Sequence, residues 1–205
     1  KKLAKLMVII LRKNKVFACA VVSDMNQPLG NNIGNFMEVK EVISSLKDGK
    51  ESRLLTLSKT IASLLVSMKE NISLNLATKK VDASVSEGLA YEKLKEMVLA
   101  QGGNLDLFKK EKLEYIPVNS EISGYIKSVK TKELGELTHE LCRIKGCKGV
   151  SILKKVGDKI GLGEEIIRIY APKKYFEMFY RKYLDCIEIS KTKTNHLPLI
   201  YDILK

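Results

Sequence analysis

Tryptophan is absent from this 205-residue chain, and cysteine and proline number four each, which excludes a disulfide-stapled scaffold and a proline-rich linker protein. The thiols Cys19, Cys142, Cys147 and Cys186 are scattered, as expected for a protein of the reducing cytoplasm. His139, Cys142 and Cys147 lie close in sequence but lack paired C-x-x-C spacing, so no zinc site is expected. No apolar run approaches the roughly 18 residues of a bilayer span. Leu6 to Leu11 is a short run flanked by lysines, too brief for a signal peptide, and no membrane partner is expected. Arginine is scarce as well: Arg12, Arg53, Arg143, Arg168 and Arg181 stand among 36 cationic residues, the rest lysine. The formal charge of +12 is therefore a lysine charge, spread as +6 before residue 119 and +6 after it. Base and phosphate recognition favours the arginine fork and stacking aromatics, so nucleic acid is not the expected partner.

What is present is ordinary globular composition, 45% hydrophobic and 29% charged, enough for a substantial core. Leu3, Leu6, Met7 and Ile10 recur at helical spacing and predict an opening amphipathic helix over 3–13. Val16 to Val22 is a continuous apolar run, the pattern of a strand buried on both faces. A polar, turn-rich stretch follows from Ser23 to Asn35, and helical spacing resumes at Phe36, Val39, Val42, Ile43 and Leu46 before Gly49. Strand, polar loop and helix form the unit of an α/β sheet protein, whose ligands sit at such loops. A helix over 53–68 is expected from its apolar period. Another is expected to run from an N-cap at Ser86 to the Gly102-Gly103 stop. Ile116-Pro117-Val118-Asn119 cannot continue a helix and sets the expected domain boundary, giving domains 1–118 and 119–205. Beyond it, strands are expected at Gly124–Val129, Val150–Leu153, Glu165–Tyr170 and Cys186–Ile189, with helices near 131–143 and 173–185. This is the texture of a small α+β module.

Residues Ala20-Val21-Val22-Ser23-Asp24-Met25-Asn26-Gln27-Pro28-Leu29-Gly30, then Gly34-Asn35 and Glu38-Val39-Lys40-Glu41, closely resemble a signature of the thymidine and pyrimidine-nucleoside phosphorylases. The resemblance continues in order through Tyr91 to Gly103, Ser123-Gly124-Tyr125, Leu134-Gly135, Lys155-Val156-Gly157-Asp158-Lys159 and Pro198-Leu199-Ile200-Tyr201. Family members are about twice as long, so the chain resembles their C-terminal half. This implies part of a mixed-sheet α/β domain followed by a small α+β domain resembling a barrel-sandwich, lipoyl-like module. The implied reaction is phosphorolysis of thymidine- or uridine-type nucleosides to base and pentose 1-phosphate, for nucleoside salvage. The implied partners are pyrimidine nucleoside, phosphate and a second copy, dimerised through the N-terminal helical domain. The phosphate-cradling glycine-rich segment and the residues that hold the pyrimidine would lie before Lys1. No catalytic residue is therefore named in this chain, which is expected to be inactive alone. The segment from Leu137 to Ser151 is also compact where the family has a longer loop.

One family feature does fall within the chain. The resemblance implies a potassium site whose ligands here are the backbone carbonyls of Leu29 and Asn32 and the carboxylate of Glu41; no organic cofactor is implied. A hard cation wants such oxygen donors. Read from the residues alone, Glu41 could equally pair with Lys40 or solvent, and Asp24 could bond the amides of its own loop. Two further readings stand beside this one: a non-catalytic scaffold half, and a biotinyl or lipoyl carrier. The carrier reading rests on Val156 to Gly161. It is opposed by the lack of a hairpin around Lys173-Lys174, where an acceptor lysine would stand.

Overall fold

The computed structural model describes residues 1–108 and 113–204. Among these the chain is α/β, with seven α-helices and nine strands, and every strand pairing is antiparallel. Parallel neighbours, which a mixed sheet requires, are not among the described residues. Two compact units are present: Lys1–Asp24 with Ser44–Gly103 and Pro198–Lys205, and Met25–Ile43 with Asn104–Leu197. Ile116–Asn119, where the 118/119 division is expected, is a strand of the second unit's four-stranded sheet.

In the first unit, α1 (Lys2–Lys13) forms as its spacing predicts, but of its residues only Val8 is buried. The strand expected over Val16–Val22 is shorter and less covered. Strand β1 is Ala20–Ser23, half-buried throughout, while Phe17 is 87% exposed. It pairs with β9 (Ile200–Leu204), placing Ala20 opposite Leu204. Helix α3 (Arg53–Glu70) starts on Ser52, whose hydroxyl accepts from Leu55 N–H, and ends where Asn71 turns left-handed. It packs on α4 (Leu74–Ser86), and Leu57 and Leu64 of α3 and Ala77 and Val81 of α4 are buried. The expected N-cap at Ser86 is corrected: Ser86 ends α4 and donates to the Ala83 carbonyl, and α5 (Leu89–Ala100) begins instead after a left-handed Gly88.

The second unit holds a four-stranded sheet in the order β2 (Asn32–Ile33), β5 (Gly149–Ile152), β7 (Glu165–Tyr170), β3 (Ile116–Asn119). Beside it is a three-stranded sheet, β6 (Lys159–Ile160), β4 (Gly124–Val129), β8 (Ile187–Ser190). Helices α2 (Asn35–Asp48), α6 (Thr131–Cys142) and α7 (Phe176–Leu184) follow the predicted stretches. One apolar core joins Val118, Ile126, Leu134, Leu141, Val150, Ile167, Phe179 and Tyr183. Within it, the Tyr183 hydroxyl donates to Thr138 Oγ1, and burial pushes its pKa up. Strand β5 is buried at every position. At its start a side chain on Gly149 would lie 2.2 Å from the Ile33 carbonyl, so only glycine lets β2 close on β5 and fix the preceding turn.

Candidate functional site

Residues 26–34, within the Ser23 to Asn35 stretch that the sequence singles out, form a turn held by groups from several elements of the second unit. Gln27, 2% exposed, accepts on Oε1 from Val156 N–H at 2.9 Å. Thr131 Oγ1 donates to the Asn26 carbonyl at 3.1 Å. Lys155 Nζ donates to the carbonyls of Pro28 at 2.9 Å and Gly30 at 2.6 Å. From α2, Glu41 accepts the Asn31 N–H at 2.8 Å on Oε1 and the Asn32 N–H at 2.8 Å on Oε2. One turn earlier Glu38 accepts the Gly34 N–H at 3.0 Å, satisfying a donor at the helix start.

The local sequence explains this reach. Side chains of a helix lean toward its N-terminus, so Glu38 and Glu41, three apart, both point back at the turn. Gly30 leaves room for the carboxylate: a Cβ there would lie 2.8 Å from Glu41 Oε2. Lys155 is set by its own turn, where Asp158 Oδ2 accepts the Lys155 N–H at 2.7 Å and Gly157 N–H meets the Ile126 carbonyl. Asn32 is tied to β5 as well, its side-chain oxygen accepting from the Ser151 hydroxyl. Glu41 thus accepts from the turn's own amides. Lys155 lies 125 residues from Gly30, and sequence reasoning missed its part in the turn. The only local signal for it was an oxygen-rich turn in need of a cation.

The donor chemistry fits a monovalent cation: the Leu29 and Asn32 carbonyls and the Glu41 carboxylate are all hard oxygens. Three amide contacts leave a carboxylate, with about four acceptor positions, some capacity for another partner. No acid–base or nucleophilic group stands in the turn itself, whose chemistry is that of positioning and charge.

At the end of the turn, Gly34, Glu38, His139, Cys142, Cys147 and Lys148 are among the residues lining a cavity of about 370 Å³. Burial raises the pKa of both thiols, with the Glu38 charge adding at Cys142. Among the described residues no group of three or more histidine, cysteine or acidic side chains could hold a metal ion. In the first unit Asp24 is 1% exposed and takes Arg53 Nη2 on Oδ2 at 2.9 Å and the Tyr201 hydroxyl on Oδ1 at 3.4 Å. Its partners thus include side chains far along the chain, a reach beyond the loop amides expected from sequence. A buried carboxylate calls for a cation, and Arg53, at the first position of α3, supplies it.

No family model matches the chain. Individual curated proteins do. The chain is 31% identical over 216 residues to the pyrimidine-nucleoside phosphorylase of Geobacillus stearothermophilus, a match covering 98% of this chain and 50% of that protein. With the enzyme of the same name from Bacillus subtilis the identity is 32%, over 92% of this chain and 47% of the relative. The chain is a relative of the pyrimidine-nucleoside phosphorylases. It is also 28% identical to the thymidine phosphorylase of Metamycoplasma hominis, over 94% of this chain and 76% of that protein. The chain spans about half the length of the pyrimidine-nucleoside phosphorylases it matches, consistent with a C-terminal half. At 98% coverage the phosphorylase match takes in the 26–34 turn with both Glu41 and Lys155.

Proposed function

We propose that the chain is the C-terminal half of a cytoplasmic pyrimidine-nucleoside phosphorylase and that it turns over nucleosides only together with the other half. The observation that carries this reading is the near-complete match of this chain to half the length of enzymes of that name. In the reaction, a phosphate oxygen forms a bond to the sugar C1′ while the C1′–N bond to the base breaks. The bond's electron pair leaves with the base, giving pentose 1-phosphate. Such chemistry is accelerated by holding phosphate and departing base in place. This chain's part is scaffolding: its turn is braced from both sides, and no residue is assigned contact with substrate. Two features of the first unit fit a working partner half. Helix α1 exposes Leu3, Leu6, Met7 and Ile10, and β1 has one neighbour, β9, among the described residues.

The finer parts of the reading follow the family. Leu29, Asn32 and Glu41 supply three oxygens to a potassium ion when the enzyme is assembled. Residues 1–118 complete a mixed-sheet domain, and residues 119–205 form the small C-terminal domain of barrel-sandwich type, for which the small antiparallel sheet of β6, β4 and β8 speaks. The assembled enzyme is a homodimer through its other half. A carrier role has less support, since Lys173–Tyr175 is a short 3-10 turn entering α7 rather than a hairpin tip.

Incubating the purified chain with thymidine or uridine and phosphate should release no free base. Joining it to the first half of the Geobacillus stearothermophilus enzyme should give phosphate-dependent release. Clear turnover by the chain alone would refute the half-enzyme reading.

A further inference from the structure

We infer that the Pro28 and Gly30 carbonyls form a monovalent-cation subsite that this chain fills with its own ammonium group, Lys155 Nζ. The inference rests on geometry within the second unit and is independent of any nucleoside chemistry. The two carbonyl oxygens stand 2.9 and 2.6 Å from the nitrogen, close contacts for an ammonium with neutral acceptors. Two oxygens two residues apart converge on one point only if the turn is bent around that point. The bend is not left to the lysine alone, because just before Pro28 Gln27 is anchored to Val156 of the 153–158 turn and Asn26 to Thr131 of α6.

The subsite is polarised from its far side. The Gly30 carbonyl and the Asn31 N–H belong to one amide group. The carbonyl end meets the ammonium of Lys155 and the N–H end meets the carboxylate of Glu41. A cation on the oxygen makes the N–H a stronger donor, and an anion on the N–H makes the oxygen a stronger acceptor, so each contact reinforces the other. Lys155 is half-buried, where water screens these charges less than on an open surface. An ammonium group is close to potassium in charge and in the distance it keeps from oxygen. The tethered cation is always present, whereas a free ion occupies its site by mass action. Lys155 is thus a positioning residue: it keeps the turn carrying Leu29 and Asn32 folded whatever the ionic composition around it.

The test is thermal unfolding of the 205-residue chain, wild type and Lys155→Ala, in choline, potassium or ammonium chloride at equal ionic strength. The wild-type midpoint should be the same in all three salts. Lys155→Ala opens the subsite and should have a lower midpoint in choline, partly restored by potassium or ammonium, which fit the space choline cannot enter. Lys155→Met, which fills the space without charge, should be destabilised and not restored by any of the salts. A Lys155→Ala midpoint indifferent to the cation would overturn the proposal, as would a wild-type midpoint with the same cation dependence as the variant. Should Lys155→Ala not fold, amide exchange in Lys155→Met decides the matter. The Asn31 and Asn32 amides should exchange at least about tenfold faster than in wild type, the equivalent of one charge-assisted hydrogen bond. Unchanged protection there would equally overturn the proposal. No nucleoside or phosphate enters either measurement, so failure here leaves the phosphorylase reading where its own assay puts it.

Discussion

Lys155 and Glu41 act on opposite ends of a single amide group: the ammonium of the first binds the Gly30 carbonyl at 2.6 Å, and the carboxylate of the second accepts the Asn31 N–H at 2.8 Å. The two side chains come from different elements, the 153–158 turn and helix α2. An amide plane between them is held in both position and orientation, which a single contact could not achieve.

The first prediction concerns Gly30. A methyl group there meets Glu41 Oε2 at 2.8 Å, so Gly30→Ala must push the carboxylate away from the Asn31 and Asn32 amides. The expected loss is about 1.5–3 kcal/mol, the range for hydrogen bonds to a charged group. Urea unfolding should show a lower midpoint with an unchanged slope. An unchanged midpoint would mean that the carboxylate finds equivalent partners.

The second concerns Glu41. Glu41→Gln keeps the length but turns one acceptor oxygen into an NH₂ group facing amide donors. Glu41→Ala removes both oxygens. In the enzyme assembled with its other half, both variants should have lower activity that rising potassium partly restores, with Glu41→Ala the weaker of the two. A potassium titration identical to wild type would assign Glu41 to bracing the turn alone.

The third concerns the buried pair in the first unit. Arg53→Met leaves the Asp24 carboxylate, 1% exposed, without its guanidinium. Breaking one side of a buried ion pair costs about 3–5 kcal/mol. Replacing both, as Asp24→Asn with Arg53→Met, should cost less than the sum of the single changes. A double-mutant cycle by chemical denaturation gives that coupling, and additivity would show that the pair does not interact.

The fourth is a pH dependence. Lys59 lies between Asp82 at 2.6 Å and Glu51 at 2.8 Å, and its hydrogen bonds to these two carboxylates raise its pKa above the ordinary 10.5. Its contribution to stability is therefore complete below that value and disappears as pH rises through the raised folded value. Glu51 is shifted the other way, below 4.5, by its bonds to Lys59 and Thr56. Its share is present above 4.5 and disappears as pH falls through the lowered value. Lys59→Met should flatten both limbs of a curve of urea midpoint against pH. A variant curve parallel to wild type would contradict the assignment.

The sequence by itself determined the elements whose causes are local. Strand β7 occupies Glu165–Tyr170 as its apolar residues predict, and α2 ends at the glycine expected to stop it. Helical period, turn chemistry and capping act between residues a few positions apart, so they can be read without knowing the fold. Even there competition enters, since Ser86 lost the expected cap to Gly88 when α4 ran on to meet it. The family resemblance was legible for the same reason, as ordered short motifs. Tertiary structure alone decided the partners. The run Val16–Val22 reads as a doubly buried strand, yet β1 is half-buried and its neighbour is β9, at the far end of the chain. Asp24 found Arg53 across 29 residues, and the Gly30 carbonyl found Lys155 across 125. A charge or an oxygen in a sequence states only that it needs a partner. Which partner arrives is set by how the chain closes, because electrostatic and hydrogen-bond contacts act over a few ångströms of space regardless of separation along the chain.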